Sequence, residues 1–454
     1  MRLISRLTNF KGELFSSTFT FGVSSIVKLG SSLILTRLLS PTAYGVFAIL
    51  FSILFMVELL SDVGTSDLLI RHHRGGERRF IHTVWTIRLI RSGFNFALLF
   101  GLAPVIAHIY EAPELTGALR AFSFWFLIAG MESMSLVLAQ RDQRSRIVSY
   151  LNLTTSIAMA AVVIGLALVL RNHYALIYGM LFQRALTAGA SHFYYRDVGI
   201  GLAFDREAIA DQFRFARFVL PSSLLTIVLT QYDKVVLLKL FDLSMLGVYG
   251  VAGNLVGPVG ALIERNAKVV LYARCASYFR SDRATAALRY YRENKLLLMM
   301  GVLLSAMVAG LAQPLVKILY DSRYEGAGIM LMAFGLGAFG STFQNASQNL
   351  LVASGRTHVV LVTNLVRLFT IVPATLLGYQ LFGFDGFLWG AVAAKLPPTT
   401  YLFWEQRRQG LLDVRSEGVR FAWGLGVFAV CLGLSQILLP MIPSNFLRHL
   451  FGKP

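Results

Sequence analysis

The chain has 454 residues, of which 56% are hydrophobic and only 15% charged, with a formal net charge of +18. Mean hydropathy is +0.62. A soluble domain carries about 25% charged residues, so a water-facing globular class is excluded, and with it any domain count taken from length alone.

In chain order, the N-terminal "MRLISRLTNFKGELF" is basic and lacks a small-residue cleavage site, which predicts an uncleaved start. Long apolar runs follow, for example "AMAAVVIGLALVL" (158–170) and "FAWGLGVFAVCLGLSQILLP" (421–440). About 20 apolar residues cross the hydrocarbon as a helix, and lipid-exposed backbone must be helical or closed into a barrel. The runs lack barrel alternation. They predict thirteen transmembrane helices: about 15–39, 43–66, 80–109, 116–139, 147–170, 173–195, 214–240, 245–271, 293–319, 327–352, 358–380, 384–404 and 419–441. The two cysteines, Cys275 and Cys431, point to neither a disulfide framework nor a metal site.

The connecting segments set orientation. "RHHRGGERR" (71–79), "QRDQRSR" (140–146), "RCASYFRSDRATAALRYYRENK" (274–295) and "EQRRQGLLDVRSEGVR" (405–420) are basic, whereas "HIYEAPELTG" (108–117) is not. All the basic loops fall on one side, so the positive-inside rule places them, and the N-terminus, in the cytoplasm. The net charge is then a topology signal, and nucleic acid is not an expected partner. Within the third basic loop, Tyr278, Phe279, Leu288 and Tyr291 interleave with arginines, the pattern of an amphipathic helix on an anionic leaflet.

The sequence also repeats itself. "LTRLLSPTAYGVFA" from Leu35 recurs as "LLKLFDLSMLGVYG" from Leu237, an offset of 237 − 35 = 202. Pro104 matches Pro314 (offset 210), and Arg144, Ser145 and Asn152 match Arg356, Thr357 and Asn364 (offset 212). Six helices per unit is an even number. Both units therefore enter from the same side, and a pseudo-two-fold along the membrane normal relates them, with the substrate site expected between the lobes. Ser40 and Asp242 suit helix N-caps, and Pro41 suits the first helical position. Gly45 and Gly247 would allow close helix approach.

These motifs, with "QYDKVVLLKLFDLSMLGVYGVAGNL" (231–255) and the "ASGRTHV" turn (353–359), resemble the polysaccharide transporter branch of the multidrug/oligosaccharidyl-lipid/polysaccharide exporter superfamily. The resemblance covers about residues 10–405. It implies a flippase of the bacterial inner membrane, moving undecaprenyl-diphosphate-linked oligosaccharides from the cytoplasmic to the periplasmic leaflet for exopolysaccharide, capsule or O-antigen synthesis. It also implies alternating access and twelve or fourteen helices. Related readings are a peptidoglycan lipid-precursor flippase and a cation-coupled multidrug exporter. The expected fold is all-α and polytopic. Its parts are a lobe over 1–196, a cytoplasmic linker over 197–213, a lobe over 214–405, and a loop with one extra helix and tail over 406–454.

Charges inside membrane helices are costly and face a cavity or a partner. Within the predicted spans basic residues outnumber the acids, among which are Glu58, Asp62, Glu132, Asp233 and Glu264. The surplus favours an anionic cargo, since Arg and Lys are the phosphate-binding side chains. The cargo candidates are Lys28, Arg37, Arg88, Arg91, Asp233, Lys234 and Lys239. Lys28 lies mid-helix, beyond easy snorkelling. Arg37 and Lys239 lie at helix ends, where headgroup contact explains them equally well. Arg88 and Arg91 share one helix face and suit either headgroups or cargo. Asp233 matches an acid of the family at this place. Glu58 and Asp62, spaced i,i+4, read either as a site for H⁺ or Na⁺ coupling or as simple partners of Arg88 or Arg91. Glu264 and Lys268 have pairing spacing.

No P-loop and no paired carboxylates in sizeable loops are present, so the chain reads as a non-enzyme without a cofactor. The expected partners are the lipid-linked oligosaccharide, membrane lipids, and polysaccharide polymerase and chain-length or export machinery.

Overall fold

A computed structural model of the chain describes residues 2–142, 144–194, 201–266, 271–283 and 285–442. Among them the regular structure is helical, and the chain divides into two compact units, Met1–Gly247 and Val248–Pro454.

The first unit contains α1 (Arg2–Leu38), α2 (Pro41–Leu60), α3 (Thr65–Arg71), α4 (Arg78–Ile109), α5 (Glu114–Gly130), α6 (Ser135–Arg141), α7 (Ser145–Leu170), α8 (Tyr174–Tyr194) and α9 (Arg206–Leu240). It closes on the first turn of α10 (Leu243–Asn266). α4 packs along α5, α7 lies between α1 and α8, and α9 packs on α2 and α4.

The repeated phrase builds the expected starts. Ala43 N–H donates to Ser40 Oγ at 3.2 Å with Pro41 at the first helical position, and Met245 N–H donates to Asp242 Oδ1 at 2.9 Å. A Cβ on Gly45 would sit 1.8 Å from Leu243 O, and one on Gly247 1.9 Å from Pro41 O. The equivalent glycines of the two repeats thus meet each other, backbone against backbone.

The fourth predicted helix is broken: α5 and α6 meet at a 57° bend over residues 131–134. α9 starts at Arg206, eight residues before the expected 214, because Asp205 caps it with Oδ1 accepting from Glu207 and Ala208 N–H at 3.0 and 3.4 Å. The linker is consequently short, and it is strapped to α4. Ala203 and Asp205 N–H both donate at 3.2 Å to the hydroxyls of Thr86 and Thr83. Arg74 then binds Glu77 at 2.8 Å, Asp205 at 2.9 Å and Glu207 at 2.7 Å. His72 faces Asp211 at 3.2 Å and stacks on Phe80.

The second unit continues α10 and adds α11 (Tyr272–Ser281), α12 (Ala286–Glu293), α13 (Lys295–Gly310), α14 (Ala312–Leu319), α15 (Ala327–Ala353), α16 (His358–Ala393), α17 (Leu396–Arg408) and α18 (Val414–Met441). Its core gathers Val302 and Ala306 of α13 with Phe339 and Phe343 of α15, with Trp423 and Phe428 of α18 against them. The predicted extra helix exists as α18, docked where Gly424 meets Phe339 and Val302 and where Gly310 meets Cys431.

Among the described residues, eight helices are long and apolar enough to cross a membrane, or up to eleven if each of three bent pairs is one span. One of the eight, His358–Arg408, runs 51 residues. As a straight helix that would be about 77 Å, far beyond a hydrocarbon core of about 30 Å. It is not straight. A Cβ on Gly386 would lie 1.9 Å from Gly378 O, and one on Gly390 2.3 Å from Ala374 O. Along one helix those pairs would stand about 12 and 24 Å apart. The chain reverses at Phe382 and Gly383, the latter at φ +62° and ψ −139°. This tight hairpin makes the two predicted helices 358–380 and 384–404 separate crossings. The thirteen-helix expectation is otherwise corrected at the breaks: 116–139 is the bent pair α5–α6, and 293–319 is divided at Leu311 into α13 and α14.

Candidate functional site

The charges that the sequence places inside the membrane are largely paired in the first unit. α2 ends at Leu60, and Asp62 Oδ1 accepts from Gly64 N–H at 2.9 Å to close the following turn. Gly64 holds φ +71°, which only glycine adopts without cost, and a Cβ there would strike Phe215 at 2.6 Å. This turn aims Glu58 and Asp62 at α4. Arg91 Nη2 meets Glu58 Oε1 at 2.7 Å and Arg91 Nη1 lies 3.6 Å from Asp62 Oδ1. One turn further on, Asn95 Nδ2 donates to Ser61 Oγ at 2.7 Å. The two like charges therefore flank a guanidinium.

Arg88, one turn before Arg91, is only 9% exposed and takes a different partner. Its Nη2 meets Glu132 Oε2 at 2.9 Å, and Arg184 Nη2 of α8 meets the same oxygen at 2.8 Å. Arg184 also lies over the Trp125 ring at 4.8 Å. Glu132 sits in the break between α5 and α6. There Trp85 Nε1 donates to its carbonyl at 3.2 Å, and Ser133 N–H donates to Ser191 Oγ at 2.8 Å. The break leaves backbone groups without helical partners, and these contacts satisfy them. Three guanidiniums, Arg88, Arg91 and Arg184, thus face three carboxylates, Glu58, Asp62 and Glu132. The cluster is balanced and joins four elements: α2, α4, the α5–α6 break and α8.

The remaining candidates stand elsewhere. Lys28 is exposed, the tenth residue of the twenty-residue candidate span Phe19–Leu38, and its ammonium has no ion pair or hydrogen bond among the described residues. Arg37 is exposed on the last turn of α1, and Lys239 is exposed on the last turn of α9. Lys234 Nζ donates to Gln231 Oε1 at 3.0 Å, while Asp233 Oδ1 accepts from Lys234 N–H at 2.9 Å, so this neighbouring pair is not a salt bridge between side chains. Lys268, the expected partner of Glu264, lies outside the described residues.

Sequence reasoning put Arg91 beside Glu58 and Asp62 as one of two readings, and it counted Glu132 without nominating it. It counted Arg184 in the same way, also without nominating it. The usable signal was a charged residue in each of two apolar helices with no local partner at i±3 or i±4. No group of three or more His, Cys, Asp or Glu among the described residues could hold a metal ion.

Among the described residues, an all-helical fold with many membrane-length spans and ion pairs held inside them defines a multi-pass membrane protein whose intramembrane charges mark its functional region. A family profile described as "Polysaccharide biosynthesis protein" matches residues 34–328, and the chain belongs to that family. It is 23% identical over 344 residues to the succinoglycan biosynthesis transport protein ExoT of Rhizobium meliloti (strain 1021), covering 74% of this chain and 67% of that one. It is 19% identical over 391 residues to the lipopolysaccharide biosynthesis protein WzxC of Escherichia coli (strain K12), covering 82% and 77%. In fold it is similar to the lipid II flippase MurJ in an inward closed conformation. That match has a TM-score of 0.66 and 14% identity, and covers 96% of this chain and 99% of that one. The chain is a membrane transporter of polysaccharide biosynthesis.

Proposed function

We propose that the chain flips undecaprenyl-diphosphate-linked oligosaccharide repeat units across the bacterial inner membrane by alternating access, with its N-terminus in the cytoplasm. The observation that carries the reading is Lys28. An ammonium at the centre of a span costs about 2.5–3.5 kcal/mol on insertion scales, and here it is exposed and has no partner among the described residues, unlike the paired arginines of α4. A cation held at that cost without an internal carboxylate suits a cargo that brings its own anion. Diphosphate is such a cargo. The polysaccharide relatives support the substrate class.

Arg37, Lys234 and Lys239 supply further positive charge on α1 and α9. Asp233 keeps the α9 pair from acting as a bare cation. The Glu58–Arg91–Asp62 group is the proposed coupling element: protonation of, or Na⁺ binding at, one carboxylate would release Arg91 from it, and Arg88 would follow only if Glu132 let go. In this reading the polymerase and chain-length or export machinery receive the flipped unit.

The test is surface polysaccharide and accumulated lipid-linked intermediate in cells carrying Lys28→Ala at matched protein level. Removing one partner of a desolvated charge contact costs about 2–5 kcal/mol, so export should fall at least tenfold while intermediate accumulates. Normal export from Lys28→Ala would refute its cargo role.

A further inference from the structure

A second charged surface stands apart from the cluster in the first unit. α11 and α12 pack on each other as a short helical hairpin, and α12 meets α13 at a 54° bend. α12 therefore leaves the direction of the membrane-crossing helix that follows it. One face of the hairpin is anchored. Cys275, Tyr290 and Tyr291 are buried with Leu298 of α13 and with Ala346 and Leu350 of α15, and Tyr290 Oη donates to Ala346 O at 3.0 Å. Cross-braces hold the two short helices together: Tyr278 Oη donates to Glu293 Oε2 at 2.7 Å, and Arg274 Nη1 donates to Asn294 Oδ1 at 3.1 Å at the bend.

The opposite face is exposed and cationic. Arg274, Arg280, Arg283, Arg289, Arg292 and Lys295 are all exposed, against the two exposed acids Asp282 and Glu293. Leu288, at 64% exposure, stands among them with no apolar cover. A rigid, bent-away helix pair with a buried inner face, a surplus of guanidiniums and a protruding leucine has the composition of an interfacial element. Arginines in that setting are attracted to anionic headgroups, and the leucine enters the acyl boundary.

We infer that the α11–α12 hairpin is a docking surface for anionic phospholipid of the leaflet that it faces, drawing such lipid around this end of the second unit. Charge complementarity selects the occupant: a zwitterionic headgroup offers these cations no net attraction, and an acidic protein surface would not take Leu288 into hydrocarbon. The inference stands whether or not the cargo proposal does.

The experiment uses the whole protein in nanodiscs of phosphatidylcholine and phosphatidylglycerol at equal mole fractions, with a fluorophore on Leu288→Cys. Labelling is selective because both native cysteines are buried, and burial pushes the Cys275 thiol up to about 12. Quenching by brominated phosphatidylglycerol is compared with quenching by brominated phosphatidylcholine. At least twofold stronger quenching by the anionic lipid is expected. It should fall to parity when Arg280, Arg283 and Arg289 become Glu, and persist when the same three become Lys. Equal quenching in the parent protein overturns the inference, as does an undiminished ratio in the Glu variant. Loss of the ratio on adding micromolar pyrophosphate would also overturn it, assigning the surface to a soluble diphosphate instead. A persisting ratio in the Lys variant separates charge from folding.

Discussion

Arg91 shows how a single residue changes the meaning of its neighbours. Glu58 and Asp62 one turn apart repel. With Arg91 between them the same spacing becomes a clamp. Arg91→Met should therefore destabilise the protein by about 3 kcal/mol, the low end for breaking a buried pair because water screens the 37%-exposed Asp62. Adding Glu58→Gln should recover part of the loss, and thermal unfolding in detergent measures both. Glu132→Gln should cost more, since it strands Arg88 and Arg184 together.

Outside the membrane, Asp205 makes a pH prediction. The Arg74 guanidinium bonded to it holds its carboxyl below the usual range, helped by the Ala208 and Glu207 amides and opposed by burial. A depressed pKa contributes stability that is present above the unfolded value of about 3.9 and is lost as pH falls through the folded value. Asp205→Asn should lower the melting temperature at pH 7 and flatten its decline below pH 4. An unchanged acid limb would remove Asp205 from the strap that holds the linker to α4.

Among elements, the hairpin of α16 decides most. Two glycines allow its arms to touch, and a third makes the turn: Gly378 and Gly386 bring carbonyls within van der Waals reach of the opposite backbone, and Gly383 adopts φ +62°, ψ −139°, which is open essentially to glycine alone. Gly383→Ala should cost about 1–3 kcal/mol. Gly386→Leu should do more, prising the arms apart so that far less folded protein is recovered by size exclusion in detergent. Hydropathy predicted both arms because each is long enough to cross, the second only when α17 continues it. The breaks at residues 131–134 and at Leu311 were read as continuous helix because hydropathy averages over a window, although Glu132 with Ser133 and Gln313 with Pro314 interrupt those apolar runs. Only the contacts that satisfy the freed backbone groups reveal the first of them.

Over the whole molecule, the distribution of basic residues makes a topological prediction. Cysteines at His73 and Arg407 should react with an impermeant maleimide only after the membrane is opened, whereas one at Glu111 should react in intact spheroplasts. Labelling of His73→Cys from outside would invert the orientation and reverse the proposed direction of transport.

The sequence by itself determined the membrane class, nearly every crossing, the internal repeat and its helix caps, because hydropathy, capping and positive-inside bias are local or additive along the chain. It also determined that buried charge would be central. The tertiary structure decided which charges meet. Glu132 lies 44 residues from Arg88 and 52 from Arg184, and their meeting depends on a bent helix end, two neighbouring helices and a serine bracket that no spacing rule encodes. Lys28 was conspicuous in sequence as a mid-span cation. What folding added is that no carboxylate among the described residues comes to it.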